Sequence, residues 1–325
     1  MSHFLIQRSN SRSNALPGRL LNWLFSPESD HWLSILRIGF AFQLVLYCVS
    51  LRTDWNQLLA GTGGAFVSRD LTEAIVSLES PLIPRLGWFV ALGKAIGLGE
   101  PMVVNFVWYC LFGAGIFLAI GLFCRPVAIA AWLLHLAAVK SGNLATYGVD
   151  NFITIGLFYL MLSPLPDRLA FDFWWRHRKS QDRRWLGFFR RVLQVHLCLI
   201  YFFGGLTKVL GRGWWDGTNL WRALTRPPFD IVSADILIRF RHFFPIAGIG
   251  VCLLEIGYPL FVWNRHMRRP WLVAILLMHA GIGSVMGMYL FASVMILLNL
   301  AAFGPGILWS ERGRPGQFSI SSARG

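Results

Sequence analysis

MVVNFVWYCLFGAGIFLAIGLF (residues 102–123) is a run of 22 residues that contains no charged side chain. An α-helix rises about 1.5 Å per residue, so a run of this length can cross the roughly 30 Å hydrocarbon core of a bilayer. Similar apolar runs recur along the chain and predict about eight membrane spans. They lie near residues 32–51, 102–123, 126–146, 150–164, 192–210, 243–263, 270–287 and 289–310. We therefore expect an all-α fold, a polytopic transmembrane helical bundle with additional interfacial helices.

The composition of the 325-residue chain agrees with this fold class. Hydrophobic residues make up 55% of the chain, charged residues only 14%, and the mean hydropathy is +0.53. A soluble domain carries about 25% charged residues, and a chain this poor in charge cannot cover a globule with polar surface. The apolar runs show no strict alternation, which favours helices over the strands of a membrane barrel.

Charge and cysteine content exclude two classes of function. The net charge of +14 would suggest nucleic-acid binding in a soluble protein, but the arginines cluster in short segments between apolar runs and no nucleic-acid-binding motif accompanies them. This distribution is the orientation signal of a membrane protein, so we expect the lipid bilayer as partner and no nucleic acid. The five cysteines form no CxxC pair, and neither a metal site nor a disulfide framework is expected.

Positive charge also predicts the orientation of the chain. The N-terminal segment 1–30, the arginine-rich connector 165–191 and the tail 311–325 should all be cytoplasmic, and an eight-span count places them on one side. The tail is expected to be disordered, which leaves 31–310 as the transmembrane domain. Residues 85–99 are short and glycine-rich, and we interpret them as an interfacial or re-entrant helix. The sequence thus predicts a multi-pass protein of the cell membrane with both termini in the cytoplasm.

Three ionisable residues are expected at about the same depth inside the membrane. His135, Glu255 and His279 lie eight or nine residues from the predicted cytoplasmic ends of their spans, or roughly 12–14 Å. Charged side chains at that depth are costly and mark functional sites by default. One interpretation is a polar cluster in which Glu255 contacts a histidine, as a proton relay or a polar substrate site. The other is hydrogen bonding that only holds helices together.

Two lysines fall near the predicted external ends of their spans. Lys208 and Glu255 are expected to lie too far apart in depth to pair, whereas Asp150 and Asn151 begin their span at the level of Lys208 and Lys140. We therefore place Asp150 or Asn151 on the wall of an external-facing pocket at Lys208. Lysines at such positions can also extend toward the lipid headgroups without any further role.

The helix that carries Lys208 has a stripe of notable residues on one face. Tyr201, Gly204, Gly205 and Lys208 are separated by steps of three, four and seven residues, which share a helical face. The glycines permit close approach of a neighbouring helix or of a flat ligand. The stripe favours an inward-facing Lys208.

Several stretches resemble one family of membrane proteins. The segment YFFGGLTKVLGRGWWDGTNLWRAL (201–224) is similar to the membrane domain of vitamin K-dependent γ-carboxylases and to the wider horizontally transferred transmembrane (HTTM) family. The segments DNFITIGLFYLMLSPLPDRLAFD (150–172), MHAGIGSVMGMYLFASVMIL (278–297) and LRIGFAFQLVL (36–46) resemble further parts of that domain. The resemblance extends over most of residues 30–305.

The resemblance implies a function as well as a fold. In the carboxylases the lysine that matches Lys208 is the base that deprotonates vitamin K hydroquinone, so a quinone or hydroquinone cofactor and a catalytic Lys208 are implied here. A membrane enzyme acting on a quinone-like or lipid cofactor is the first hypothesis. The second is a non-catalytic membrane module that helps a protein or peptide partner to mature or to be exported, like relatives of the sporulation-delaying protein B type. A transporter is disfavoured because no internal repeat is visible.

The charge distribution generates a direct test of topology. Because clustered arginines remain cytoplasmic, reporter fusions or cysteine labels placed near positions 180 and 320 should both report the cytoplasmic side. An external signal at either position would contradict the eight-span arrangement.

Overall fold

The computed structural model describes residues 16–61, 68–79, 81–142, 146–177 and 181–305. Within these ranges the regular structure is entirely helical, and the expected all-α membrane helical bundle is confirmed. The helices are α1 (Leu16–Leu24), α2 (His31–Ser50), α3 (Trp55–Leu59), α4 (Arg69–Glu79), α5 (Leu86–Ala95), α6 (Glu100–Ile120), α7 (Cys124–Ser141), α8 (Gly148–Leu162), α9 (Phe171–Trp175), α10 (Arg183–Val209), α11 (Arg212–Trp215), α12 (Thr218–Thr225), α13 (Ala234–Arg239), α14 (Phe244–Phe261), α15 (Arg268–Met286) and α16 (Tyr289–Phe303). The tail 311–325 lies outside the described residues.

Each predicted span overlaps a helix, although α10 begins at Arg183, within the segment predicted as connector 165–191. Five segments are long and apolar enough to cross a membrane: His31–Ser50, Glu100–Ile120, Arg183–Val209, Arg241–Phe261 and Arg268–Met286. The other three predicted spans correspond to α7, α8 and α16, with 18, 15 and 15 residues. The chain is therefore an integral membrane protein built from hydrophobic helices.

Helix α5 is shorter than the membrane-spanning helices. Its ten residues rise about 15 Å, half the thickness of the hydrocarbon core, so α5 is too short to cross it. The turn after α5 reverses the chain at Gly97, whose positive φ of 81° favours glycine. Gly93 then faces Val103 of α6, so α5 folds back against the next long helix.

Small residues bring the central helices close together. α2 packs against α6, α8 and α16, and the ring of Phe40 fills the space that a side chain at Gly156 of α8 would need. Gly115 of α6 lies against the Ala41 carbonyl of α2 in the same way. Lipid provides little hydrophobic drive for helices to associate, so these close approaches supply the dispersion contacts that hold the bundle.

A buried ion pair fixes the end of the bundle that contains connector 165–191. Arg37 Nε lies 2.5 Å from Asp167 Oδ2, and both side chains are fully buried. Ser34 Oγ donates to the same carboxylate at 2.6 Å, and Arg37 Nη1 donates to the Leu118 carbonyl at 2.6 Å. The arginine therefore links α2, the last turn of α6 and the segment after α8. Because its donors are used inside the protein, this in-span charge has a structural role.

We expect the substitution Arg37→Met to destabilise the protein by about 3–5 kcal/mol, since it leaves the Asp167 carboxylate buried without its cation. The matched control is Arg168→Met, because the Arg168 side chain is 58% exposed and pairs with Asp30 at 3.6 Å. We expect a loss of only about 0–1 kcal/mol there, because Arg168 is exposed and the buried Asp30 keeps its hydrogen bond from the Arg168 backbone N–H. Thermal unfolding of the purified variants measures both effects, and equal stability of the two variants would contradict the structural role of Arg37.

Candidate functional site

Lys208 and Glu255 form an ion pair between α10 and α14. Lys208 Nζ lies 2.6 Å from Glu255 Oε2, and the side chains are 24% and 10% exposed. The ammonium group also lies 5.4 Å from the centre of the Trp214 ring and 3.4 Å from the Gly204 carbonyl, to which it donates. The expectation that Lys208 and Glu255 differ too much in depth to pair is wrong.

The error in depth has a clear structural cause. The end of α10 at Val209 is not the edge of the bundle, because α11 continues alongside α14. The contacts Gly205–Ile256 and Trp214–Gly248 show this antiparallel register directly. Lys208 therefore lies opposite the middle of α14 and not at its external end.

The glycine stripe makes the ion pair possible. A Cβ atom at Gly205 would lie 2.7 Å from the Ile256 backbone nitrogen, so only glycine permits this separation of α10 and α14. A Cβ atom at Gly204 would lie 3.4 Å from Glu255 Oε2 and 3.7 Å from Lys208 Nζ, in ordinary contact with the pair. The stripe faces inward, as its spacing predicts, and the neighbour that approaches it is α14.

A chain of hydrogen bonds lies beside the ion pair and joins four helices. Asn299 of α16 accepts from Tyr258 Oη at 2.7 Å and donates through Nδ2 to Tyr201 Oη at 2.7 Å and to the Met295 carbonyl at 2.8 Å. Because a carbonyl can only accept, the last bond fixes the orientation of the amide. Tyr201 Oη lies 2.7 Å from Nε2 of His279 on α15.

These bonds favour one tautomer of a neutral His279. Tyr201 Oη already accepts from Asn299, and within the described ranges His279 Nε2 is the acceptor that lies within reach of the tyrosine proton, so we assign Tyr201 as the donor and Nε2 as the acceptor. The ring proton is then on Nδ1, which is buried and has no hydrogen-bond partner among the described residues. His279 is 3% exposed, and an unsatisfied buried N–H is costly and rare. This tautomer thus gives the bundle a buried donor that no residue of the described ranges uses.

The ion pair and the hydrogen-bond chain form one site, which we call the lysine cluster. Tyr201 and Lys208 share one face of α10, and Glu255 and Tyr258 lie three residues apart on α14. The Tyr201 and Tyr258 rings pack 4.2 Å apart. The members are Tyr201, Lys208, Glu255, Tyr258, His279 and Asn299. Tyr258 and Asn299 were not among the predicted site residues, although an asparagine within an apolar span is a detectable signal.

The predicted grouping of His135 with Glu255 and His279 is wrong. His135 Nδ1 lies 3.0 Å from Thr154 Oγ1 on α8, and its ring packs 5.0 Å from that of Tyr47 on α2. Glu255 has Lys208 as its hydrogen-bonding partner and bonds neither imidazole. Both histidines are buried, as their expected depth predicts. Depth alone, however, carries no information about which helices are neighbours.

The hydrogen bonds of His135 leave it with a free acceptor, whereas His279 has a free donor. Thr154 Oγ1 donates its only proton to the Asp150 carbonyl at 2.8 Å and therefore accepts from His135 Nδ1. A neutral His135 then has a bare acceptor at Nε2, which is buried without a partner among the described residues.

The remaining predicted residues lie away from Lys208. The Asp150 carboxylate accepts from the Tyr147 backbone N–H at 2.8 Å and from Tyr47, and it lines a cavity of about 80 Å³ whose lining does not include Lys208. Asn151 is exposed. Lys140 Nζ pairs with Glu79 Oε2 of α4 at 2.6 Å. The lysine cluster therefore has Glu255 as its acid, and the pocket wall predicted from Asp150 or Asn151 is not formed there.

The donor set of the lysine cluster determines its chemistry. Lys208 is a charged donor, His279 Nδ1–H is a neutral donor, and Glu255 can exchange a proton with Lys208. No group of three or more His, Cys, Asp or Glu residues within the described ranges could hold a metal ion. The cluster is thus suited to a ligand with acceptor oxygens.

Comparison of the chain with family models, with curated proteins and with solved structures gave no match.

Two double-mutant cycles would test whether the Lys208–Glu255 pair contributes more to stability than the more exposed pair Lys140–Glu79. Lys208–Glu255 and Lys140–Glu79 have the same N–O distance of 2.6 Å, but Glu255 is 10% exposed and Glu79 is 36% exposed. We expect a coupling energy of about 1–3 kcal/mol between Lys208→Met and Glu255→Gln. For Lys140→Met and Glu79→Gln we expect less than about 1 kcal/mol. Unfolding of the purified proteins gives both values, and equal couplings would show that burial of Glu255 adds nothing.

Proposed function

We propose that this chain is an HTTM-like membrane protein whose lysine cluster binds a quinone-like ligand, as in the membrane domain of vitamin K-dependent carboxylases. The observation that supports it is the buried Nδ1 of His279, which has no hydrogen-bond partner in the described part of the chain and which the tautomer assigned above makes a donor, in the same site as the Lys208–Glu255 pair. Both groups are hydrogen-bond donors, and the oxygens of a quinone are acceptors without protons. A ligand of this class would satisfy the buried donor that the described residues leave unused.

Aromatic side chains lie next to both donors. Phe291 lies 5.9 Å from His279, and the Lys208 ammonium lies over the Trp214 ring. Sites for small hydrophobic molecules combine such aromatic walls with a few convergent polar groups.

Glu255 gives Lys208 a route to act as a base. An adjacent carboxylate favours the ammonium form, which cannot accept a proton. Transfer of one proton from Lys208 Nζ to Glu255 Oε2, across the 2.6 Å contact, converts the pair to a free amine and a neutral acid. A bound hydroquinone would supply the acidic O–H that this amine could deprotonate. His279 Nδ1–H would then stabilise negative charge on an oxygen beside it.

The second candidate function is a module that assists a protein or peptide partner. Ile231, Ile236, Ile238, Phe240 and Phe243, between α12 and α14, are each more than half exposed. Such a surface, on the side predicted to be external, is typical of a contact with a partner or with the outer leaflet. A protein or peptide that requires these residues for binding, and not Lys208, would favour this function over the first.

Binding of a soluble 1,4-naphthoquinone to the purified protein tests the first proposal. We expect Lys208→Met to weaken binding about tenfold or more, because a hydrogen bond to a charged donor contributes about 1.5–3 kcal/mol. His279→Phe should also weaken binding, since it removes the second donor. Lys140→Met is the control and should leave binding unchanged, because Lys140 pairs with Glu79 outside the cluster.

Thermal unfolding of each variant separates loss of the ligand contact from loss of the fold. Organic extraction of the wild-type protein, followed by mass spectrometry, asks independently whether a quinone co-purifies. Absence of any naphthoquinone binding by the folded wild-type protein, or equal binding by folded Lys208→Met, would contradict the proposal and favour the partner module.

A further inference from the structure

Three arginines surround one glutamate at the opposite end of α10 from Lys208. Arg190 Nη1 pairs with Glu28 Oε2 at 2.6 Å, and Arg191 Nη2 lies 3.7 Å from Glu28 Oε1. Arg268, the first residue of α15, donates to the carbonyl of Val262, which precedes Trp263, and the Trp263 ring lies 5.7 Å from the Arg191 guanidinium. We call this group the arginine cluster, and it carries two positive charges that no neighbouring carboxylate of the group balances.

The hydrogen bonds of the cluster leave donor groups available. Arg190 is used by the protein, since Nε donates to the Ala302 carbonyl at 3.0 Å in addition to its ion pair. Arg268 donates only through Nε, to the Val262 carbonyl at 3.0 Å, so its two terminal amino groups have no protein partner in the described part of the chain. Arg191 donates through Nη1 to Gln194 Oε1 at 2.8 Å and through Nη2 to Ser26 Oγ at 3.3 Å, so only its buried Nε lacks a partner there, and Arg268 supplies the free donors.

The depth of the arginine cluster is that of a lipid headgroup. Helix α10 has 27 residues and is about 40 Å long, whereas about 20 residues cross the hydrocarbon core. Arg191 lies beside Trp263, between the end of α14 at Phe261 and the start of α15 at Arg268, so the cluster lies at the ends of these two spans and at the core boundary. Trp23 and Trp263 stack on Arg191 at 5.2 and 5.7 Å, and tryptophans are typical of this interface.

Helix α1 supplies an apolar surface beside the charges. It packs along α10, and its Leu20 and Leu21 side chains are 56% and 55% exposed. Such a short amphipathic helix is suited to the boundary between headgroups and acyl chains. The site therefore offers cationic donors for an anion and, next to them, an apolar surface for a hydrocarbon chain.

We infer that the arginine cluster binds the phosphate of an anionic phospholipid. Guanidinium groups match phosphate oxygens in geometry as well as in charge, and basic pockets between helices on the cytoplasmic side of membranes bind such headgroups. The position at the hydrocarbon boundary and the exposed leucines of α1 favour a lipid over a free anion. The inference does not rest on the proposed quinone site, because about 26 Å of helix separates Arg191 from Lys208.

The test uses the full-length protein purified in detergent, with phosphatidylglycerol and phosphatidylcholine as probes in native mass spectrometry and thermal unfolding. We expect phosphatidylglycerol to bind and to raise the Tm, and phosphatidylcholine to do neither. The double variant Arg191→Gln/Arg268→Gln should bind phosphatidylglycerol about thirtyfold more weakly, at about fivefold per arginine near the surface. The matched control is Arg184→Gln/Arg265→Gln, which removes the same charge from exposed positions at the same end and should change binding less than twofold.

A second variant keeps the test decisive if the double variant fails to fold. Arg268→Gln alone removes a single backbone hydrogen bond and should still weaken phosphatidylglycerol binding about fivefold. Equal binding of the two lipids, or unchanged phosphatidylglycerol binding in folded Arg268→Gln, would overturn the inference. The inference would also be overturned if inorganic phosphate raised the Tm as much as phosphatidylglycerol does, because the site would then bind a soluble anion.

Discussion

The hydrocarbon core contains no water to satisfy a polar group, so each buried donor, acceptor and charge must find its partner inside the protein. This constraint organises the bundle more than hydrophobic burial does, because lipid tails are as apolar as the helices themselves. Arg37 joins three segments because its donors need carbonyl and carboxylate acceptors, and Asn299 joins three others for the same reason. The polar residues of the spans are therefore the points at which helices are fixed to one another.

The ion pairs Arg37–Asp167 and Lys208–Glu255 show how the same constraint can produce different roles. Arg37–Asp167 is fully buried, and a serine hydroxyl and backbone groups complete its hydrogen bonds. Lys208–Glu255 is partly exposed and uses a lysine, which can become neutral when an arginine cannot. Its neighbour His279 has a buried Nδ1 without a partner among the residues that the structure describes. A charge pair with saturated contacts serves structure, whereas a pair with a removable proton and a free neighbouring donor is suited to chemistry.

The sequence predicts where the helices lie along the chain but not which helices lie next to one another. Long apolar runs predicted each span because bilayer thickness sets helix length, and the spacing of Tyr201, Gly204, Gly205 and Lys208 predicted their common inward face. Depth counted from the ends of runs failed for Lys208, because α11 extends the bundle beyond the end of α10. Equal depth also could not separate two histidines that lie in different groups of helices. Pairing partners and tautomers depend on three-dimensional contacts that periodicity does not encode.

The two buried histidines differ in the kind of hydrogen-bond partner that each one lacks. His279 is held by a tyrosine that donates to it, so it presents a donor, and His135 is held by a threonine that accepts from it, so it presents an acceptor. The group that orients each ring thus determines which kind of ligand atom the free nitrogen can bind. A quinone oxygen suits the first and not the second, whose free nitrogen would need a hydroxyl or an amine. For this reason the choice of site within the bundle follows from the hydrogen-bond partners of each imidazole, and not from the presence of a buried histidine.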